Sequence, residues 1–237
     1  MKNFLTCNSC NSSNPLYAYT CANCNAFLRA RISNIDFWSV LGKLIESPVK
    51  AAEIIIQSDH KNFISIILFL SGLKFVLNLW ILNNAFSINE NLSDNFIGSI
   101  FSGIIFFILG IVLIAFVFKI VTHQLKIKTR FKDNVALYTY SFLPFTATLL
   151  VLSPVQIALF GFYWFSFNPS PIIIKELASY VIIFIEGLFA IWSFVLMVIT
   201  SYAQMRNFIG SLFIATLQTI ILSLSVILGF FILTGIL

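Results

Sequence analysis

The 237 residues are 59% hydrophobic and only 10% charged, with a mean hydropathy of +0.96, which places the chain outside the range of soluble domains. A net charge of +5 does not point to nucleic acid, because the cations flank apolar segments instead of striping a polar domain. The composition predicts an all-α integral membrane helical bundle, with the lipid bilayer as its main partner and no nucleic-acid partner.

The chain opens with Cys7, Cys10, Cys21 and Cys24, two Cys-x-x-Cys pairs about ten residues apart. Asn11 and Asn25 follow the pairs, where a zinc knuckle turns with positive φ, a conformation that Gly, Asn and Asp adopt cheaply. Spacing and turn chemistry together predict one structural four-thiolate zinc ion in a ribbon over residues 1–31. That segment holds no apolar run of signal-peptide length, so the amino terminus is expected in the cytosol, where thiols stay reduced and metal ligation outranks disulfides. So small a module cannot bury a self-sufficient core, and the metal would supply the missing stability.

Residues 32–62 read as two short amphipathic helices. Phe37, Trp38, Val40, Leu41, Leu44 and Ile45 precede Pro48, and Val49, Ala52, Ile55 and Ile56 follow it. Lys43, Glu46, Lys50 and Glu53 occupy the opposite face. Ser47-Pro48 supplies a cap and first-turn pair, and Trp38 is expected to anchor the helices among lipid headgroups, the alternative being that their apolar face packs against the ribbon.

Within the membrane domain, 63–237, apolar runs at 63–82, 96–121, 135–167, 177–200 and 208–233 predict five spans. The third is long and interrupted by Pro144 and Pro154, which predicts a kinked or tilted helix, with a re-entrant second half as the alternative. Six cations precede the first span (Lys2, Arg29, Arg31, Lys43, Lys50, Lys61) and five more follow the second (Lys119, Lys126, Lys128, Arg130, Lys132). Segment 87–95 carries Glu90 and Asp94 and no cation, and 168–176 has Lys175 as its one cation. The asymmetry predicts a cytosolic amino terminus and an outer carboxy terminus.

Two charges fall inside spans, where they are costly: Lys74 and Glu186. Counting residues puts both roughly 12–14 Å below the outer boundary, so they are expected to pair. The pair serves either as polar glue between helices or as part of an ion or proton path. His60 and His123 lack companions at ligand spacing and read as interfacial histidines. No Walker sequence, nucleophile elbow or His-Glu-x-x-His motif is present, so no enzymatic activity is expected.

The juxtamembrane stretch Leu44-Ile45-Glu46-Ser47-Pro48-Val49-Lys50-Ala51-Ala52, the run Tyr138-Thr139-Tyr140-Ser141-Phe142-Leu143-Pro144 and the order of five apolar segments resemble the bacterial branch of the Yip1 domain family, in the version preceded by a zinc ribbon. In eukaryotes that family is associated with vesicle traffic and Rab-type GTPases. The resemblance therefore implies a scaffold or adaptor in membrane organisation or trafficking, with a protein partner reached through the cytosolic amino-terminal region. The competing expectation is a small transporter or channel using Lys74 and Glu186.

Overall fold

With no water in the bilayer core to satisfy backbone amides, an apolar run of this length must close its own hydrogen bonds, and helices do so. The computed structural model describes residues 4–86 and 96–232. Five of its helical stretches are long and apolar enough to cross a membrane. The protein is a helical membrane bundle preceded by a small four-cysteine knob. The expected outer loop at 87–95 and the last five residues, 233–237, lie outside the described residues.

The knob pairs β1 (Leu5–Thr6) antiparallel with β2 (Ser13–Asn14), and an isolated bridge joins Thr20 to Phe27. Strand β3 (Ile32–Asn34) pairs in parallel with β4 (Ser58–His60). Between them lie α1 (Phe37–Glu46) and α2 (Pro48–Gln57). The Asp36 carboxylate accepts the Ser39 amide at 3.4 Å and starts α1. Pro48 starts α2, where its missing N–H costs nothing. The expected Ser47 cap does not form: its side chain makes no cap bond. Val40 and Leu44 of α1 and Ala51, Ala52, Ile55 and Ile56 of α2 are buried. Trp38 is 76% exposed and Ile45 is exposed beside it, the disposition of an interfacial face.

The spanning helices α3 (Ile64–Phe86), α4 (Phe96–Gln124), α10 (Glu176–Met205) and α11 (Phe208–Ile232) are unbroken. The third apolar stretch is not. It runs as α5 (Phe131–Ser141), α6 (Leu143–Ala147), a π turn (Thr148–Leu152) and α7 (Ser153–Phe160). The part that can span is Leu143–Phe160, so the third crossing begins later than residue 135. The reason lies in α5, which buries Asp133, Asn134, Thr139 and Ser141 and so uses polar contacts within the protein. Pro144 stands in the first turn of α6 after a break at Phe142, and Pro154 stands in the first turn of α7. Ahead of Pro154 the Ser153 amide reaches the Thr148 carbonyl, the one-residue widening of a π turn. Short helices α8 (Tyr163–Ser166) and α9 (Pro171–Ile174) lead into α10.

Contacts divide the chain into two units, and α3, α4, α10 and α11 contribute to both. The first contains Met1–Ser65, Val112–Ser141 and Val195–Thr219. Its helices are joined by a polar ladder: Gln204 Nε2 donates to Asn134 Oδ1 at 3.1 Å, the Tyr138 and Ser201 hydroxyls lie 3.4 Å apart, and those of Ser141 and Thr200 lie 3.3 Å apart. Such bonds hold helices together where lipid supplies no hydrophobic drive.

The second unit contains Ile66–Ile111, Phe142–Phe194 and Ile220–Leu237. Here small residues admit close approach. A Cβ on Gly103 would stand 2.5 Å from Val76 Cγ2, and one on Gly110 would stand 2.7 Å from Leu222 Cδ1. The Ser71 hydroxyl donates to the Phe142 carbonyl at 3.2 Å and lies 3.0 Å from that of Thr146, covering backbone exposed at the break before α6.

Candidate metal centre and intramembrane charge pair

Each cysteine pair sits on a knuckle of the same construction. The Asn11 amide donates to the Cys7 carbonyl at 2.9 Å, and the Asn25 amide donates to the Cys21 carbonyl at 3.0 Å. Asn11 has φ 55° and Asn25 φ 56°, the left-handed conformation for which asparagine is suited. The two turns aim all four sulfurs at one point, and the Sγ atoms lie within 4.8 Å of one another. Cys7 and Cys24 sulfurs are 3.5 Å apart and those of Cys10 and Cys21 are 3.6 Å apart. A tetrahedral zinc thiolate site with bonds near 2.3 Å needs sulfur separations of about 3.8 Å, so the donor set fits one such ion.

The surroundings favour thiolates at Cys10 and Cys21, chiefly through the Ser12 hydroxyl, and oppose one at Cys24. The Ser12 hydroxyl, 3.1 Å away, and the Cys24 backbone hold the Cys21 thiol down to about 5. The Asn14 side chain adds a bond to the Cys21 sulfur at 3.5 Å. At Cys24 the Ala26 backbone favours ionisation, but the Cys10 and Cys7 sulfurs prevail and push the thiol up to about 12. A cation is what such a cluster needs: it lets neighbouring thiols ionise together. Bound there by Cys7, Cys10, Cys21 and Cys24, it would lock both knuckles.

The knob is fastened within the first unit. Arg29 Nη2 donates to the Tyr17 carbonyl at 2.8 Å and to the Gln57 carbonyl at 3.0 Å. Arg31 pairs with Asp59 at 2.6 Å. The Arg130 guanidinium lies 4.4 Å from the centre of the Tyr17 ring while donating to the Ile56 carbonyl at 2.8 Å and to the buried Asp133 at 2.8 Å. Lys61 completes this cluster, 3.0 Å from Asp133 and bonded to the carbonyls of Ile55, Ile56 and Ser58 at the end of α2. Burial pushes the Lys61 ammonium down to about 8, against the pull of Asp133. Arg206 pairs with Glu53 at 2.5 Å.

In the second unit Lys74 Nζ donates to Glu186 Oε1 at 2.5 Å. Lys74 is 1% exposed and Glu186 17%. Gln156 Nε2 donates to the same carboxylate oxygen at 2.5 Å. Gln156 comes from α7 and the charges from α3 and α10, so the site joins three spans. The sequence alone gave Gln156 little part in an ion or proton path; the available signal was a glutamine inside an apolar run, two residues beyond Pro154. Glu186 also borders a pocket of ≈ 310 Å³ whose walls include Asn78, Ile81, Trp164 and Ile183. His60 and His123 are exposed, and neither belongs to a group of ligating side chains among the described residues.

Comparison of the chain with protein-family models, with curated proteins and with solved structures finds no match.

Proposed function

We propose that the chain is a non-enzymatic membrane scaffold whose amino-terminal knob, held by one structural zinc ion, presents a cytosolic docking surface at the membrane. The observation that carries this reading is the mounting of the knob: Arg29, Arg31 and Arg130 and the β3–β4 pairing attach it to the juxtamembrane helices. A module tethered this way keeps a fixed face, which a docking platform requires. Phe27, 74% exposed on the knob, is the apolar residue best suited to meet a protein partner. The cytosolic orientation rests on the positive-inside rule, since Lys119, Lys126, Lys128 and Lys132 belong to the same unit as the knob. The resemblance to bacterial Yip1-domain proteins points the same way.

Affinity capture from native membranes tests it, comparing the intact chain with Phe27→Ala and with Cys10→Ser/Cys21→Ser. A stoichiometric partner bound by the intact chain and lost with both variants is the expected result. Equal capture by all three would remove the knob from any docking role.

A second reading is a small transporter or channel, favoured by Glu186 bordering the ≈ 310 Å³ pocket. Lys74→Met/Glu186→Gln in proteoliposomes separates the two, because only a path loses coupled flux while the fold persists.

A further inference from the structure

Where α4 ends, a groove of ≈ 630 Å³ opens between the knob and the loop that follows the helix. Lys119 and His123 line it from the last turns of α4, Lys126, Lys128 and Thr129 from the loop, and Tyr17 from the knob. No acidic residue lines it. The neighbouring carboxylates are already engaged: Asp133 by Lys61 and Arg130, and Asp59 by Arg31. Lys119, Lys126 and Lys128 take part in no ion pair among the described residues. Three uncompensated ammonium groups around one concavity concentrate positive potential there.

The loop holds these cations in a fixed arrangement. The Lys126 amide donates to the His123 carbonyl at 3.0 Å and the Ile127 amide to the Thr122 carbonyl at 2.8 Å, the paired bonds of a Schellman helix end. Lys126 occupies its left-handed position, φ 58°, where glycine is the cheap residue. A strained lysine at the rim of a basic groove is an outlier of the sort that accompanies binding.

What lies beneath the groove selects the source of the anion. Val112, Phe116 and Ile120 are exposed on α4 and, at four-residue steps, form one apolar stripe. Lys119 and His123 continue that face to the groove. A soluble phosphate has no use for the stripe. An acyl chain does.

We propose that this groove binds the phosphate headgroup of an anionic phospholipid, with Lys119, Lys126 and Lys128 on the phosphate oxygens, the Thr129 hydroxyl and Tyr17 ring bounding the headgroup, and an acyl chain along Val112, Phe116 and Ile120. Charged headgroups attract basic residues at the membrane surface by Coulomb forces that salt weakens. Because Tyr17 belongs to the knob, the site is complete only while the knob stays folded.

The test uses the full chain in detergent, titrated with phosphatidylglycerol or phosphatidylcholine and read by native mass spectrometry. Phosphatidylglycerol is expected to bind at least about tenfold more tightly than phosphatidylcholine. Lys119→Gln/Lys126→Gln/Lys128→Gln should abolish that preference by about 10- to 100-fold. The corresponding triple Arg variant should retain it, which also separates a lost site from a lost fold. Lys43→Gln/Lys50→Gln, cations elsewhere in the same unit, should change little. An unchanged preference in the triple Gln variant, or an equal loss in the Lys43/Lys50 control, overturns the proposal. Displacement of the lipid by inorganic phosphate or by a short RNA assigns the groove to soluble phosphates and overturns it as well.

Discussion

Lys74 and Glu186 stand 112 residues apart in sequence and meet at 2.5 Å, with Gln156 on the same carboxylate oxygen. Each charge alone would be costly at this depth in a bilayer. Together they leave one neutral, hydrogen-bonded unit joining α3, α7 and α10.

Removing one partner should therefore hurt more than removing both. Lys74→Met or Glu186→Gln should lower stability in detergent by up to about 3–5 kcal/mol, toward the low end because Glu186 is partly exposed, and the double variant should recover most of it. Gln156→Leu should cost about 1–2 kcal/mol. Thermal unfolding of the four variants checks this; additive losses in the double variant would mean that the two charges do not act as a pair.

Lys61 predicts a pH dependence of defined sign. Burial holds its ammonium down to about 8, against an ordinary value of 10.5. Between these values the unfolded chain binds more protons than the folded one, so stability contributed by this site rises with pH across that window. Below about pH 8 both states are charged and the cost of burial is fully present. The difference in unfolding midpoint between the native chain and Lys61→Gln, followed from about pH 7 to about pH 10, should grow in favour of the native chain. A flat difference would show that the four acceptors around Lys61 hold its charge after all.

Five crossings with a cytosolic knob predict the side of every connection. Reporter fusions at Asn91, Lys128, Ser170 and Leu237 should read out, in, out and out. A cytosolic signal at both Ser170 and Leu237 would mean that the third apolar stretch returns to its starting side.

The five spans were legible because twenty apolar residues leave a backbone few alternatives. The knuckle turns were legible because Asn11 and Asn25 suit a left-handed conformation. Hidden were the interactions that join distant parts of the chain. Arg130 and Lys61 read as topological cations, yet they hold Asp133; no spacing in sequence shows that Arg206 meets Glu53, 153 positions away. Pro144 and Pro154 announced a bent third span. Where it begins depends on the buried polar contacts of α5, such as Gln204 on Asn134, and a hydropathy run does not register those.

We propose that a metal held by Cys7, Cys10, Cys21 and Cys24 builds the knob. Elemental analysis of the full chain, purified under reducing conditions, decides it. One zinc per chain is predicted, lost in Cys10→Ser/Cys21→Ser along with the protection of the knob from proteolysis. A native chain that carries no stoichiometric metal yet keeps a protease-resistant knob would contradict the account.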